Sequence, residues 1–260
     1  MSLTMLSVAL VGLCWGSFLN MVAHRLLHGD FERLRSFCPS CKKNLAWYDL
    51  IPLFSFLLLG ARCRQCSKPI SYLYPLIEVM AAILALLIWQ QSTALLYPTA
   101  YHRVAHIFCY GMFASGLLVA LRTDLEEMVI PRMVSIILLP LGLLNAMLGI
   151  LPISLMMSLA GCLFGYGFLW GLNKVYMYLR GVQGIGEGDM DVLSVIGAFL
   201  GPIGLLEALN FASLSGIIVG LLYLIMTKQG GQTRIPFAPF LAIGAFVALY
   251  SEVVMGALLF

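Results

Sequence analysis

Four cysteines in one polar stretch of the chain have the spacing of a metal site. Cys38 and Cys41 form one CxxC pair, and after 21 residues Cys63 and Cys66 form a second. Two such pairs match the two knuckles of a zinc ribbon, in which four thiolates surround one tetrahedral Zn²⁺ ion. A redox dithiol or a pair of disulfides is the alternative, but a reducing cytoplasm disfavours disulfides and one CxxC would suffice for redox work. We therefore predict a structural zinc site.

Two aspartates beside apolar stretches are candidates for acid/base chemistry. Asp124 follows one apolar run directly, and Asp189 ends the stretch 184–189, in which three glycines alternate with other residues. Two carboxylates held close together share a proton, so that one can activate water while the other protonates a leaving amine or polarises a carbonyl. Each aspartate could instead cap a helix or pair with an arginine such as Arg122. Spacing along the chain leaves both interpretations open.

The elements that must position these residues are membrane-spanning helices. Of the 260 residues, 61% are hydrophobic and 10% are charged, and the mean hydropathy is +0.97. Soluble domains carry roughly a quarter of charged residues, whereas a lipid-spanning helix needs about 20 mostly apolar residues. The sequence therefore predicts an all-α polytopic membrane protein with about eight transmembrane helices. The predicted spans are residues 3–22, 73–91, 104–121, 130–150, 153–173, 190–206, 208–227 and 236–258.

The basic residues predict the orientation of these spans, because Lys and Arg are retained on the cytoplasmic side. If the chain starts outside, all but one of the 15 basic residues lie in or beside cytoplasmic segments, and the exception is Arg103. Both termini are therefore predicted on the non-cytoplasmic side. Asp124 and Asp189 are predicted at the cytoplasmic boundary, on different helices. The predicted cytoplasmic segments are residues 23–72, 122–129, 174–189 and 228–235.

The only long polar segment carries the four CxxC cysteines and divides the chain. A segment of some fifty residues builds little core, so we expect metal binding to supply much of its folding energy. The predicted parts are a first transmembrane helix (1–22), a cytoplasmic zinc-ribbon-like insertion (23–72) and a seven-helix membrane domain (73–260). The remaining cysteines lie in apolar spans and are expected to be buried small hydrophobic residues; they are Cys14, Cys109 and Cys162.

Two other classes of function compete with an aspartic protease. A proton-coupled transporter would carry ionisable residues near mid-bilayer in several spans together with internal repeats, but the acids singled out here lie at one boundary and no repeat is visible. A non-catalytic membrane adaptor would act through its zinc domain and tolerate loss of both aspartates. The expected surroundings are the lipid bilayer, without nucleic acid, and the sequence does not indicate an oligomeric state.

Six blocks of residues extend along nearly the whole chain in a characteristic order. They are Gly16-Ser17-Phe18-Leu19-Asn20 with Arg25; the cysteine loop with Trp47-Tyr48-Asp49 and Ile51-Pro52; Pro69-Ile70-Ser71 with Tyr74-Pro75-Leu76 and Glu78; Asp124 with Ile130-Pro131; Gly186-Glu187-Gly188-Asp189 with Gly197-Ala198-Phe199-Leu200-Gly201; and Pro236-Phe237-Ala238-Pro239-Phe240-Leu241. The GxGD motif alone would be a weak signal. Together the blocks resemble the bacterial type IV prepilin leader peptidases, aspartic membrane proteases that also N-methylate their product.

The resemblance implies a role for each matching residue. Asp124 and Asp189 would be the catalytic pair, and Gly186 and Gly188 would let the second aspartate approach the scissile peptide. The four loop cysteines would be the metal ligands. The implied substrates are prepilins and pseudopilins, which carry a short basic leader ending in Gly before an apolar helix, and the implied methyl donor is S-adenosylmethionine. The implied location is the bacterial inner membrane. A relative with methyltransferase activity alone, acting through its zinc domain, is a further variant of the adaptor alternative.

Three positions depart from the pattern of many members of that family. Asp191 stands where Lys is frequent, and Arg132 stands where Asn or Asp is frequent. Both substitutions leave Asp124 and Asp189 in place. Leu73 stands where Arg is frequent, and because it lies beside the cysteine loop, it bears on the expected methyl transfer.

Overall fold

The computed structural model describes residues 3–32, 35–94, 99–227 and 235–258. Within these ranges the chain is helical and contains two isolated β-bridges but no strand. The predicted all-α class is therefore confirmed for the described residues. The predicted cytoplasmic segment 228–235 lies, except for residue 235, outside them. The helices are α1 (Leu3–His28), a 3-10 turn (Trp47–Leu50), α2 (Phe54–Leu58), α3 (Leu73–Ala94), α4 (Ala100–Glu127), α5 (Met133–Met147), α6 (Leu155–Arg180), α7 (Glu187–Thr227) and α8 (Ala238–Leu258).

Five of the described helices are long and apolar enough to cross a membrane, namely α1, α3, α4, α6 and α7. α5 (Met133–Met147) and the segment Ala238–Ser251 of α8 are also apolar but shorter. A chain with several such helices has the composition of a multi-pass membrane protein. The number of eight spans, the orientation of the termini and the three-part domain division remain predictions.

The predicted spans 190–206 and 208–227 lie in one helical element. α7 runs from Glu187 to Thr227 and leaves helical geometry at Gly201, where φ is 69° and ψ is −175°. Glycine adopts this conformation without steric cost, and Pro202 follows, whose ring cannot continue the hydrogen-bond ladder of the preceding turn. The break therefore lies earlier than the boundary near residue 207 that the hydropathy pattern predicts, because hydropathy does not detect a kink inside a continuously apolar run.

The chain forms two compact units, residues 1–93 and 94–260. In the first unit, α1 packs against α3 through Gly12 and Gly16, at which an added Cβ would lie 2.7 Å from the backbone of Ala82 and of Glu78. Small residues allow such close approach of helices in membranes.

The three cysteines outside the CxxC pairs differ in their burial. Cys14 lies between Gly12 and Gly16 in sequence, points away from the face that they share, and is exposed. The expectation of burial was therefore wrong for Cys14, because only one face of α1 packs against protein. Cys109 is fully buried, as predicted. Cys162 is half-buried, with its Sγ 3.2 Å from Ser194 Oγ.

In the second unit, α7 is the central helix and contacts α4, α5, α6 and α8. α6 and α7 meet at Gly161 and Gly197, where a Cβ on Gly161 would lie 2.2 Å from the Gly197 carbonyl oxygen. α8 approaches α7 in the same way, since a Cβ on Gly244 would lie 2.2 Å from the Ala208 carbonyl oxygen. These backbone contacts leave little room for sliding, so they fix α7, which carries Asp189, against α6 and α8.

Candidate functional site

The four CxxC cysteines come together in the first unit. Their Sγ atoms all lie within 4.8 Å of one another, and the Sγ atoms of Cys38 and Cys66 are 3.9 Å apart. Four thiolates at about 2.3 Å from a tetrahedral Zn²⁺ ion would be separated from each other by about 3.8 Å. The sulfur positions therefore fit a single tetrahedral ion, and the predicted ligand set is brought together.

The two CxxC segments have the same backbone conformation. In the first, the Cys38 N–H donates to the Lys43 carbonyl at 3.0 Å, and in the second, the Cys63 N–H donates to the Lys68 carbonyl at 2.9 Å. Each segment also places a non-glycine residue, Lys42 or Ser67, at a positive φ of 58° or 56°. In each segment an isolated β-bridge also pairs two residues at equivalent positions. The loop therefore contains two equivalent turns, each of which presents two sulfurs to the same point.

The cysteine cluster is predisposed to hold a cation. Hydrogen bonds from the backbone of Cys66 and Gln65 lower the pKa of the Cys63 thiol to about 7. The pKa of Cys66 rises to about 11, because the lowering by the Lys68 backbone is outweighed by burial and by the three neighbouring thiols. Cys63 thus forms a thiolate readily near neutral pH, while Cys66 resists further negative charge. A bound cation would remove that resistance.

Asp124 lies near the end of α4 and is 6% exposed. Its Oδ2 accepts a hydrogen bond from the Ala238 N–H at 3.0 Å, and the backbone of Phe237 also hydrogen-bonds to this carboxylate. Ala238 is the first residue of α8, so Asp124 caps a helix that is distant in sequence. The helix-capping interpretation of Asp124 therefore holds, and it places the carboxylate where α4 and α8 meet.

Asp189 lies in the first turn of α7. The backbone of Gly186 hydrogen-bonds to its carboxylate, as in the reciprocal half of a capping box. Its other oxygen, Oδ1, is buried and has no hydrogen-bond partner among the described residues. The carboxylate is also close enough to Asp124 for the two to repel each other electrostatically. The structure therefore brings the two predicted acids together at the junction of α4, α7 and α8.

The glycines of the GxGD segment allow close packing around Asp189. A Cβ on Gly188 would lie 2.8 Å from Ile130 Cβ, and a Cβ on Gly186 would lie 3.4 Å from Asp189 Oδ2. Any side chain at Gly188 would push α7 away from the segment that enters α5. Both predicted glycines thus lie beside the second aspartate.

Asn173 supports the same loop and was missed by sequence reasoning. This buried α6 side chain accepts hydrogen bonds from the backbone N–H groups of Gly184 and Ile185, at 3.0 and 3.1 Å. The loop that precedes α7 is thereby tied to the end of α6. The only signal in the sequence is an isolated Asn near the end of an apolar run, which equally suits a helix end exposed to water.

Arg132 and Asp191, which depart from the family pattern, lie beside each other at the starts of α5 and α7. Arg132 is ion-paired with Glu187, and Ser135 Oγ donates to Asp191 Oδ2 at 3.3 Å. Arg132 also interacts electrostatically with Asp191. Arg132 thus attracts the carboxylate of Asp191 while Glu187 repels it, and neither departure displaces Asp189. Arg122, the suspected partner of Asp124, donates to Glu126 one helical turn further on.

Two family models match most of the chain. The bacterial peptidase A24 N-terminal domain matches residues 10–92, and the type IV leader peptidase family matches residues 111–221. These two regions contain the cysteine cluster and both aspartates, respectively. No solved structure matches the chain.

Curated relatives match over nearly the full length. A protein of Aeromonas hydrophila named prepilin leader peptidase/N-methyltransferase is 33% identical over 268 residues, which is 93% of this chain and 89% of the relative. Proteins of the same name from Burkholderia pseudomallei and Pseudomonas aeruginosa are 32% and 30% identical. They cover 92% and 94% of this chain and 83% and 89% of their own lengths. This chain belongs to the type IV leader peptidase family.

Proposed function

We propose that the protein is a prepilin leader peptidase and N-methyltransferase of the bacterial inner membrane. It would remove the basic leader of prepilins or pseudopilins after Gly and methylate the new N-terminal residue. The observation that carries the hydrolytic half is the pair Asp124 and Asp189, in which each carboxylate is held by backbone N–H groups at a helix start and the two lie close together. The names of the full-length relatives carry the methyltransferase half.

The paired carboxylates account for peptide hydrolysis without a covalent enzyme intermediate. The ionised member takes a proton from water, whose oxygen attacks the scissile carbonyl carbon, while the protonated member donates its proton to the carbonyl oxygen. The tetrahedral diol then collapses: the C–N bond breaks, the leaving amine takes the proton held by the first carboxyl, and the second regains its proton from a hydroxyl. The pair returns to its starting state with one proton.

The surroundings of the two acids suit this division of roles. The backbone of α8 holds one oxygen of Asp124, and the Gly186 backbone hydrogen-bonds to Asp189. Oδ1 of Asp189 makes no such bond within the described part of the chain, so it is available to water or substrate. A prepilin whose leader stays in the cytoplasm while its helix lies in the bilayer would present its cleavage site at the depth predicted for both aspartates.

The cysteine cluster would bind Zn²⁺ through Cys38, Cys41, Cys63 and Cys66. When bound, the ion supplies folding energy to the loop, and because four thiolates fill a tetrahedral shell, it has no open position at which to activate water. Hydrolysis is therefore assigned to the aspartates alone. The loop would contribute to substrate docking or to methyl transfer from S-adenosylmethionine.

Cleavage of a purified prepilin by the detergent-solubilised enzyme tests the proposal. Mass spectrometry of the product should show removal of the leader after Gly and, with S-adenosylmethionine present, one added methyl group at the new N-terminus. Asp124→Asn should abolish cleavage, whereas the control Glu127→Gln, an exposed acid at the end of the same helix, should cleave normally. Equal thermal stability of both variants in detergent would exclude a folding defect of the helices that carry the aspartates. Full cleavage by Asp124→Asn would refute the protease mechanism and favour an adaptor acting through its zinc loop.

A further inference from the structure

A run of uncharged residues interrupts the polar loop. Residues 50–61 contain no charged side chain and lie between Asp49 and Arg62. Apolar stretches of about 10–14 residues are too short to span a bilayer and are typical of a buried core helix or of a segment in the membrane interface. Burial distinguishes the two, since Phe54, Leu57 and Leu58 are 56%, 74% and 69% exposed. The run is therefore not the core of the loop.

One hydrogen bond fixes the depth of this run relative to α3. The Leu53 N–H donates to Glu78 Oε2 at 2.9 Å. Glu78 is five positions after Leu73, the first residue of α3, which corresponds to about 8 Å along the helix axis. Because α3 is long and apolar enough to span the membrane, the start of α2 lies level with the second turn of a membrane helix.

The surroundings of Glu78 and of Leu53 hold both residues in place for this contact. Glu78 is 6% exposed, and the Ser17 side chain of α1 also hydrogen-bonds to it. Leu53 has φ 60° and ψ −48°, a region that non-glycine residues occupy only when their surroundings hold them there. The depth of α2 is therefore set by specific contacts within the first unit.

The backbone of the run is suited to a medium without water. The Leu57 N–H donates to Leu53, the Leu59 N–H to Ser55, and the Ala61 N–H to Phe56, at 2.9–3.0 Å. In lipid, backbone polar groups must be satisfied internally. The exposed side chains of α2 can thus enter the apolar layer without bringing unpaired N–H groups with them.

Aromatic residues flank the run as they flank membrane helices. Trp47 and Tyr72 are 77% and 76% exposed, and the ring centroids of Phe56 and Tyr72 are 5.6 Å apart. Tyr72 directly precedes α3. Trp and Tyr are enriched at the level of lipid head groups, and Arg62 and Lys68 follow the run and would attract anionic head groups.

We propose that residues 50–61 form an interfacial anchor that inserts Phe54, Leu57 and Leu58 into the lipid bilayer. The start of the anchor is also tied to the metal cluster. Arg64, which lies between two of the cysteine ligands, donates to Asp49, the residue directly before the anchor, at 2.8 and 3.0 Å. The cysteine loop is thereby held at the membrane surface rather than suspended in the cytoplasm. The occupant of this apolar surface is lipid.

Fluorescence quenching of the full-length, zinc-loaded protein in vesicles tests this proposal. A genetically encoded fluorescent amino acid replaces Leu57 or, as a control in the same loop, the exposed Lys43. The vesicles contain phosphatidylcholine and phosphatidylglycerol, with or without a lipid that carries a nitroxide near the head group, and iodide is the aqueous quencher. The probe at 57 should be quenched mainly by the nitroxide lipid, and the probe at 43 mainly by iodide.

Two other results at position 57 would overturn the proposal. Quenching by iodide as strong as at position 43 would place α2 in water, and shielding from both quenchers would show that protein covers the surface. Glu78→Ala, which removes the acceptor for Leu53, should shift quenching at position 57 from lipid towards iodide. Glu78→Gln keeps an acceptor and should behave as wild type. An unchanged signal in Glu78→Ala with full zinc content would contradict the depth assigned from this contact.

Discussion

The cysteine loop and the helical bundle of α4–α8 hold their functional groups by different means. In the loop, two short turns with the same backbone hydrogen bonds present four sulfurs to one point, and the described loop residues form little core. In the bundle, the two aspartates come from α4 and α7, which are distant in sequence, and α8 links these helices, because its Ala238 N–H donates to Asp124 and its Gly244 lies against the backbone of α7. Local geometry defines the first site, and helix packing defines the second.

This difference teaches what each site depends on. The loop site should require its metal for folding, because nothing else in it supplies comparable energy. The aspartate site should require close helix contacts but no metal, because its supporting hydrogen bonds come from backbone at the starts of α7 and α8. The two regions should therefore fail independently when each is perturbed in its own way.

The largest effect is expected from removal of the metal, which should unfold the cysteine loop and leave the helical bundle folded. Binding of structural Zn²⁺ contributes about 10–16 kcal/mol in small domains, so chelation or Cys63→Ser should unfold the cysteine loop. The amides of α4–α8 should keep their protection in hydrogen exchange measured by mass spectrometry. Cys162→Ser is the control, since this cysteine lies outside the cluster. Loss of protection throughout the bundle would show that the two regions are not independent.

A smaller effect is expected from one methyl group between α6 and α7. Gly161→Ala places a Cβ 2.2 Å from the Gly197 carbonyl oxygen, and such overpacking costs about 1–3 kcal/mol. Thermal unfolding in detergent should show lower stability together with reduced cleavage, while zinc content stays normal. Gly167→Ala, in the same helix with nothing within 4 Å of the added Cβ, should leave stability unchanged. Equal behaviour of the two variants would contradict close packing at Gly161.

The smallest expected effect is a difference in reactivity between two cysteines of the loop, Cys63 and Cys66. The thiolate is the reactive form of cysteine, and the pKa of Cys63 is lowered to about 7 while that of Cys66 is raised to about 11. In a short pulse of iodoacetamide given directly after the metal is removed, before the loop unfolds, alkylation of Cys63 should therefore rise with pH around 7 and precede alkylation of Cys66. Mass spectrometry of peptides after timed alkylation measures both rates. Faster modification of Cys66 at neutral pH would contradict the backbone hydrogen bonds assigned to Cys63.

The sequence predicted that the four cysteines form one cluster, because their geometry is local. Two CxxC pairs determine most of the positions of four sulfurs, whatever the rest of the chain does. The sequence also singled out the two aspartates but did not predict their arrangement, which depends on α8 reaching Asp124 through Ala238 and on Asn173 holding the loop before α7. Neither contact leaves a periodic signal in the sequence.

The hydropathy pattern also did not predict the helix break at Gly201 or the depth of α2 relative to α3. Hydropathy reports how apolar a window is, whereas the kink depends on the conformation of one glycine followed by Pro202. The level of α2 depends on a single hydrogen bond between Leu53 and Glu78. Both features arise from tertiary contacts and backbone dihedral angles, which apolar runs of similar composition do not distinguish.

The most direct test of the central claim is whether Asp124 and Asp189 act as one unit. Cleavage rates of wild type, Asp124→Asn, Asp189→Asn and the double variant would be measured on one prepilin, with thermal stability in detergent and zinc content matched. Residues that act together are strongly non-additive, so each single variant should lose about 10³-fold or more and the double variant should be no slower than either. Independent, multiplying losses, or a single variant that cleaves at the wild-type rate, would contradict the account.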